Sequence, residues 1–236
     1  MFKRKYNLDE GIFSKLESRN SYWIGFLWGD GYMNGNRLQL CLSYKDYDHL
    51  VKFRNFMRSP EINIKVFDSK NKKKNIISKS CEIRFRSWKI YNDLKRYKIV
   101  LNKTDRGKVP EEFYKKIYRR MFLRGLFDAD GCFTIDSRGY LFSEITGDYE
   151  TVLYAKEITE KEIGAICNIV KNGSIYRIRL SASDTLKLGD YIYKDKTENE
   201  FLNRKYNRFI KHKKYLLEGK SKRLYTKNYE KEMPIL

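Results

Sequence analysis

Two aspartates, each followed by glycine, are the residues of this 236-residue chain best placed to do chemistry. Asp30 closes the segment Ser21-Tyr-Trp-Ile-Gly-Phe-Leu-Trp-Gly-Asp-Gly31, and Asp130 closes Met121-Phe-Leu-Arg-Gly-Leu-Phe-Asp-Ala-Asp-Gly131. Both segments read as apolar helices that stop at glycine, so each carboxylate stands at the negative end of a helix dipole. Side by side at ~4 Å, two such charges repel by about 4 kcal/mol at an effective dielectric of about 20. A divalent cation removes that conflict. Oxygen ligands with retained water suit Mg²⁺, and Mn²⁺ or Ca²⁺ can occupy the same donors. A metal between two carboxylates and a phosphate can activate water and stabilise a leaving oxygen, which is the chemistry of phosphodiester hydrolysis.

Other chemistries are poorly provided for. The histidines, His49 and His212, are far apart and lack metal-binding or triad context. Cys41, Cys81, Cys132 and Cys167 form no C-x-x-C pair and are expected to be buried free thiols in a reducing compartment. Neither a phosphate-binding G-x-x-x-x-G-K-[ST] loop nor G-x-G-x-x-G occurs. The chain carries 50 Lys+Arg against 30 Asp+Glu, a net charge of +20, which points to a polyanionic partner and above all to nucleic acid. Residues 1–100 hold 22 basic and 10 acidic residues, 101–200 hold 17 of each, and 201–236 hold 11 and 3. No apolar run reaches the ~20 residues of a membrane span, and the N-terminus lacks a signal-like apolar stretch. The expected setting is intracellular, without membrane contact: the cytoplasm of a bacterium or phage host, or an organelle matrix.

The two Asp-Gly segments belong to a repeat with a period close to 100 residues. Gly25 aligns with Gly125, Gly29 with Ala129, Asp30 with Asp130 and Gly31 with Gly131. Lys45–Phe53 then parallels Gly147–Ala155, and Ile83–Ser87 parallels Ile178–Ala182. Such a period indicates a duplicated domain. Each half reads as helix, two strands, helix, two strands, helix. The fold class is therefore α+β, with two αββαββα repeats, each contributing an antiparallel sheet. In the first half the pattern predicts helices over about 20–30, over Asp46–Arg58 and from Ser87. Its strands include Arg37–Ser43, one with Ile62, Ile64 and Val66 alternating inward, and one with Cys81, Ile83 and Phe85. In the second half, Pro110 and Glu111-Glu112 predict a helix continuing to Asp130. Strands follow near 132–136, 140–147, 166–170 and 174–181, with helices near 150–163 and 184–193. The divisions are an N-terminal extension 1–19, repeats 20–101 and 111–194, a linker 102–110, and a basic C-terminal extension 195–236.

Small residues four apart, Gly25 and Gly29, Gly125 and Ala129, give each motif helix a bare strip. The two helices are expected to pair along these strips about a pseudo-twofold axis, bringing Asp30 and Asp130 together. Asp128 aligns with Trp28 and reads as a structural cap or a solvent contact.

Leu123-Arg-Gly-Leu-Phe-Asp-Ala-Asp-Gly131 resembles the LAGLIDADG motif with two substitutions, Arg124 and Phe127. Trp23-Ile-Gly-Phe-Leu-Trp-Gly-Asp-Gly31 is similar to it more loosely, and the resemblance spans about 20–195. It implies a monomeric, two-motif homing endonuclease, intron-encoded in type, that cuts both strands of a long double-stranded DNA site. Its two sheets would form a DNA-binding saddle. The resemblance makes Asp30 and Asp130 the catalytic metal ligands, joined by the backbone carbonyls of Gly29 and Ala129. It also makes Lys45 a catalytic lysine near the scissile phosphate. The second half departs from the pattern, with Gly147 beside Asp148 at the partner position, so one strand is expected to be cut faster. No intein splicing residues bracket the chain. A group I intron maturase that grips RNA, or a DNA-binding regulator that does not cut, remain alternatives on the same scaffold.

Strand alternation supplies the candidate reading surface. With Leu38, Leu40 and Leu42 inward, Arg37, Gln39, Cys41 and Ser43 face outward. Likewise Glu82, Arg84 and Arg86 face out in one strand, and Arg177 and Arg179 in another. Arg and Gln suit guanine and adenine edges in the major groove. Lys65 and the lysines of the basic hairpin 69–79, including Lys72, Lys73 and Lys74, are expected on phosphates.

Overall fold

The structure, a computed structural model, describes residues 6–71, 76–100, 107–137 and 140–218. The chain divides into two compact units, Met1–Asp130 with Asp195–Arg204, and Gly131–Lys194 with Lys205–Leu236.

The first unit opens with α1 (Ser18–Asp30), β1 (Gly31–Asn34) and β2 (Arg37–Ser43). A 3₁₀ turn, Tyr44–Asp46, leads into α2 (Tyr47–Phe56), β3 (Ile64–Asn71), β4 (Ile76–Arg86) and α3 (Trp88–Arg96). A second 3₁₀ turn, Glu111–Tyr114, precedes α4 (Lys116–Asp130). Both motif helices thus lie in this unit. The antiparallel sheet has the order β1-β2-β4-β3, with Leu40 opposite both Gly31 and Ile83. Its inward side chains Leu38, Leu40, Ile83 and Phe85 are buried, as the alternation predicts. Trp23 of α1 packs between Phe53 and Phe56 at centroid distances of 5.0 and 5.6 Å, tying the motif helix to α2.

The second unit contains β5 (Gly131–Ile135), β6 (Leu141–Gly147), α5 (Tyr149–Ile163), β7 (Val170–Asn172), β8 (Ile175–Leu180) and α6 (Ala182–Ile192). Its sheet order, β5-β6-β8-β7, repeats the first, with Ile145 opposite both Gly131 and Ile178. Among the described residues the last helix is α7 (Asn203–Leu217), and it has no counterpart in the first half. In the second unit Phe209 of α7 packs on Phe133 at 5.3 Å and covers Gly189 of α6, where a Cβ would lie 2.1 Å from its ring.

Several local expectations are corrected. The helix predicted from Pro110 to Asp130 is broken at Lys115, whose backbone is extended (φ −68°, ψ 139°). The break lets Phe113 turn into the core, where it stacks on Phe122 at 4.1 Å. Val66 is 40% exposed, because β3 is an edge strand covered from one side only. The strand predicted near 166–170 forms instead over the three residues Val170–Asn172. Ala165 and Cys167 are buried and Ile166 is 91% exposed, so alternation persists where no partner strand is available. Among the cysteines Cys81 and Cys167 are buried, Cys132 is partly covered, and Cys41 is exposed on the outward face of β2. The extension after 195 supplies both a segment of the first unit and a helix. Among the described residues no helix is long and apolar enough to cross a membrane.

Candidate functional site

The motif helices α1 and α4 meet backbone to backbone. A Cβ added at Gly25 would lie 2.2 Å from the Phe122 carbonyl oxygen, and one at Gly125 would lie 2.0 Å from that of Tyr22. The contact is reciprocal, and only hydrogen side chains permit it at these two places. One turn further on, a Cβ at Gly29 would lie 2.4 Å from the Ala129 Cβ and 2.6 Å from Oδ2 of Asp130. The Asp130 carboxylate therefore lies against the end of α1, one residue from Asp30. Residues 21–28 and 121–128 are buried throughout, and 29–30 and 129–130 are the first to reach solvent. Gly31 closes α1 by donating its N–H to the Leu27 carbonyl, with a Cβ there only 2.5 Å from the same oxygen.

This end of the helix pair fits a hard divalent ion. It offers two carboxylates, with the backbone carbonyls of Gly29 and Ala129 beside them, at two negative helix ends and half open to water. Among the described residues no group of three or more His, Cys, Asp or Glu could hold a metal, and two carboxylates with two carbonyls leave positions for water on a six-coordinate ion. Mg²⁺ binds in that way.

Asp128 is neither a helix cap nor solvated. It is buried, accepting a hydrogen bond from Tyr22 Oη at 2.9 Å and another from the Leu202 N–H at 2.8 Å. Tyr22 Oη also lies 3.2 Å from His49 Nε2, and His49 is fully buried among Trp23 and Phe26. Lys45 is exposed on the 3₁₀ turn after β2. Its neighbour Asp46 is buried and paired with Arg204, a residue that the sequence pattern leaves within a basic tail. That pairing, first of all, holds the guanidinium even more firmly protonated than usual, and the fields of Asp128 and Asp30 add to it. In the second unit β6 runs directly into α5, and Asp148 caps that helix by accepting from the Thr151 N–H at 2.8 Å. The 3₁₀ turn has no equivalent there.

Residues 118–187 match the family model of the LAGLIDADG-like domain. The chain has the two-motif LAGLIDADG fold. Solved structures with this fold include full-length DUF199/WhiA from Thermatoga maritima (16% identity over 86% of this chain, TM-score 0.53), of which this chain spans 64%. The LAGLIDADG homing endonuclease I-GzeII in complex with its DNA target is another (15% identity, 91% of this chain and 96% of that one, TM-score 0.57). I-SmaMI, bound to uncleaved DNA in the presence of calcium ions, matches at 15% identity over 87% of this chain and 92% of its own (TM-score 0.56). No curated protein matches the sequence.

Within each sheet of the chain, the outward residues lie where alternation places them. In the first unit Arg37 and Gln39 are partly exposed, and Ser43, Lys65, Arg84 and Arg86 are exposed. Glu82 shares that face but is covered, because Gln39 Nε2 donates to it and Arg84 Nε lies 3.6 Å away. The Cys41 thiol on this face is pushed up, chiefly by partial burial and then by the charges of Glu82 and Asp30. In the second unit Glu144 gathers both arginines, Arg177 Nη1 at 3.2 Å and Arg179 Nε at 2.7 Å. Arg179 also stacks over Phe142 at 4.1 Å. Lys72, Lys73 and Lys74 lie outside the described residues. The pairing of carboxylates with the basic side chains beside them was not anticipated from sequence, although the strand register that brings them together follows from the alternation.

Proposed function

We propose that this chain is a site-specific DNA endonuclease of the homing type that hydrolyses phosphodiesters on both strands of a long duplex target. The observation that carries the reading is the reciprocal Gly25 and Gly125 contact, which sets two aspartates at the joined ends of two helices. Asp30 and Asp130, with the carbonyls of Gly29 and Ala129, would hold Mg²⁺ or another divalent ion. Such an ion, when bound, supplies Lewis-acid polarisation of a phosphoryl oxygen and a bound water more acidic than bulk water. Lys45 places an ammonium on the turn after β2 to stabilise charge on the phosphate. The outward side chains Arg37, Gln39, Ser43, Arg84, Arg86, Arg177 and Arg179 read base edges, and Lys65, Lys72, Lys73 and Lys74 neutralise phosphates. The net charge of +20 and the DNA-bound state of I-GzeII and I-SmaMI support duplex DNA as the substrate. Because one chain carries both aspartates, a monomer suffices.

The test is selection of cleaved sites from a randomised duplex pool with Mg²⁺, alongside Asp30→Asn and Asp130→Asn. Wild type should enrich one long site, and each substitution should abolish cutting while leaving binding intact. A wild type that enriches bound but uncut DNA, or RNA, would overturn the reading in favour of a regulator or a maturase.

A further inference from the structure

The segment Asp195–Arg204 is fastened to the first unit along its length. Arg120 Nη1 lies 3.2 Å from Asp195 Oδ2, and Arg19 Nε lies 2.9 Å from the buried carboxylate of Glu200. The Glu200 carbonyl accepts from Arg124 Nη1 at 3.1 Å. Lys52 Nζ donates to the Phe201 carbonyl at 2.9 Å and to Asn203 Oδ1 at 2.7 Å, and the Asn203 amide donates to Asp48. The segment ends in a two-pronged contact. Arg204 Nε donates to Asp46 Oδ1 and Nη2 to Oδ2, both at 2.8 Å, across 158 residues of sequence.

That fork fixes both the distance and the plane of the carboxylate, as a single ammonium could not. Asp46 is the last residue of the Tyr44–Asp46 turn and directly follows Lys45. Within the turn itself the Lys45 N–H makes only a 3.4 Å contact with Ser43 Oγ. Arg204 also sits in the first turn of α7, the positive end of the helix dipole, where a cation disfavours the helix. Its placement is explained by Asp46 and not by α7.

We propose that Arg204 is a positioning residue: by gripping Asp46 it holds the turn that presents Lys45 to one of the two scissile phosphates. This rests on the nuclease reading above. It makes the C-terminal extension part of the cleavage apparatus for one strand, in addition to any hold it has on the DNA backbone. The second unit, with no such turn, has no equivalent device.

The test follows nicking of each strand separately on the selected target under single-turnover conditions. The proteins are wild type, Lys45→Ala, Arg204→Ala, Arg204→Lys and Arg120→Ala. Arg204→Ala should slow the same strand as Lys45→Ala, on the order of 10²-fold, the effect of a ~1 Å misplacement of a reacting group. The other strand should be cut at its normal rate and DNA affinity should hold. Arg204→Lys, which keeps the charge without the fork, should fall between, and it carries the test if Arg204→Ala does not fold. Arg120→Ala, which loosens the exposed start of the segment, should cut both strands normally. The proposal is overturned if the Arg204 variants cut both strands like wild type, or slow both equally along with a drop in melting temperature. A Lys45→Ala variant that cuts normally overturns it too. A wild type that cuts neither strand refutes the nuclease reading itself.

Discussion

The two sheets have the same strand order and register, yet their outward surfaces have diverged. Leu40 and Ile145 occupy the same node, as do Ile83 and Ile178, and all four are buried. One position outward, Gln39 faces Arg84 in the first sheet and Glu144 faces Arg179 in the second. β3 and β4 run for 8 and 11 residues, against 3 and 6 for β7 and β8. In the first sheet β2 leads into the Lys45 turn, and in the second β6 leads into Asp148, which caps α5. Inward positions answer to close packing, which tolerates few shapes, while outward positions answer only to solvent and ligand. A duplicated scaffold can therefore stay symmetric inside and diverge outside. Even inside, one exchange stands out. Ser143 takes the place of Leu38 and is satisfied by a 3.0 Å hydrogen bond with Thr185.

The largest effect should come from breaking what the halves share. Gly125→Ala, or Gly25→Ala, drives a methyl into the backbone of the facing helix and should lower stability by about 3 kcal/mol, the upper range for overpacking. Gly189→Ala meets the Phe209 ring first, a side chain and not backbone, and should lose about 1 kcal/mol. Urea denaturation of the three variants measures the contrast, and equal losses would refute the backbone-contact account.

The outward faces come next. Glu144→Gln releases two arginines in the second sheet, and Glu82→Gln frees Gln39 and Arg84 in the first. Each should change base preference at the positions those side chains reach by about 1–3 kcal/mol per base pair, as read from cleavage of a single-substitution target library. Changes at unrelated positions would sever the link between carboxylate and readout.

Grip should differ as well. Replacing Lys72, Lys73 and Lys74 by serine should reduce the slope of log affinity against log salt by about 1 for each phosphate no longer neutralised. Replacing Lys171 alone, in the shorter hairpin of the second sheet, should change it less. Binding titrations across salt concentrations would show whether the first half holds the backbone harder.

The smallest effect concerns pH. Burial, helped by the charges of Arg208 and Lys211, lowers the basicity of His212 in the second unit. Its folded-state pKa lies below the ordinary 6.5, so its contribution is fully present above about pH 6.5 and is lost as pH falls through the folded value. His212→Gln should flatten the acid side of the stability profile, measured by melting temperature from pH 7 to 5.

Much of the fold was legible because its causes are local. Helices ending at Gly31 and Gly131, strands with inward leucines and isoleucines, and small residues spaced four apart all follow from neighbouring side chains. They led to the paired helices and the two αββαββα repeats. The meeting of Asp30 and Asp130 at the helix ends was legible for the same reason, since a strip of small residues on each of two helices leaves few ways to join them. What failed was decided at a distance. The break at Lys115 serves the stacking of Phe113 on Phe122, and nothing within Glu111–Lys116 announces it.

The sequence by itself determined the α+β class, the duplicated plan, the excess of positive charge and the two motif aspartates, because propensity, alternation and charge act over a few residues. Only the tertiary structure decided which polar groups are consumed in holding the molecule together. Asp128 is spent on Tyr22 and Leu202, Glu144 on two arginines, and Asp46 on Arg204. A buried carboxylate must find a donor wherever the chain brings one, and across 74 residues for Leu202 or 158 for Arg204 no sequence pattern records that meeting.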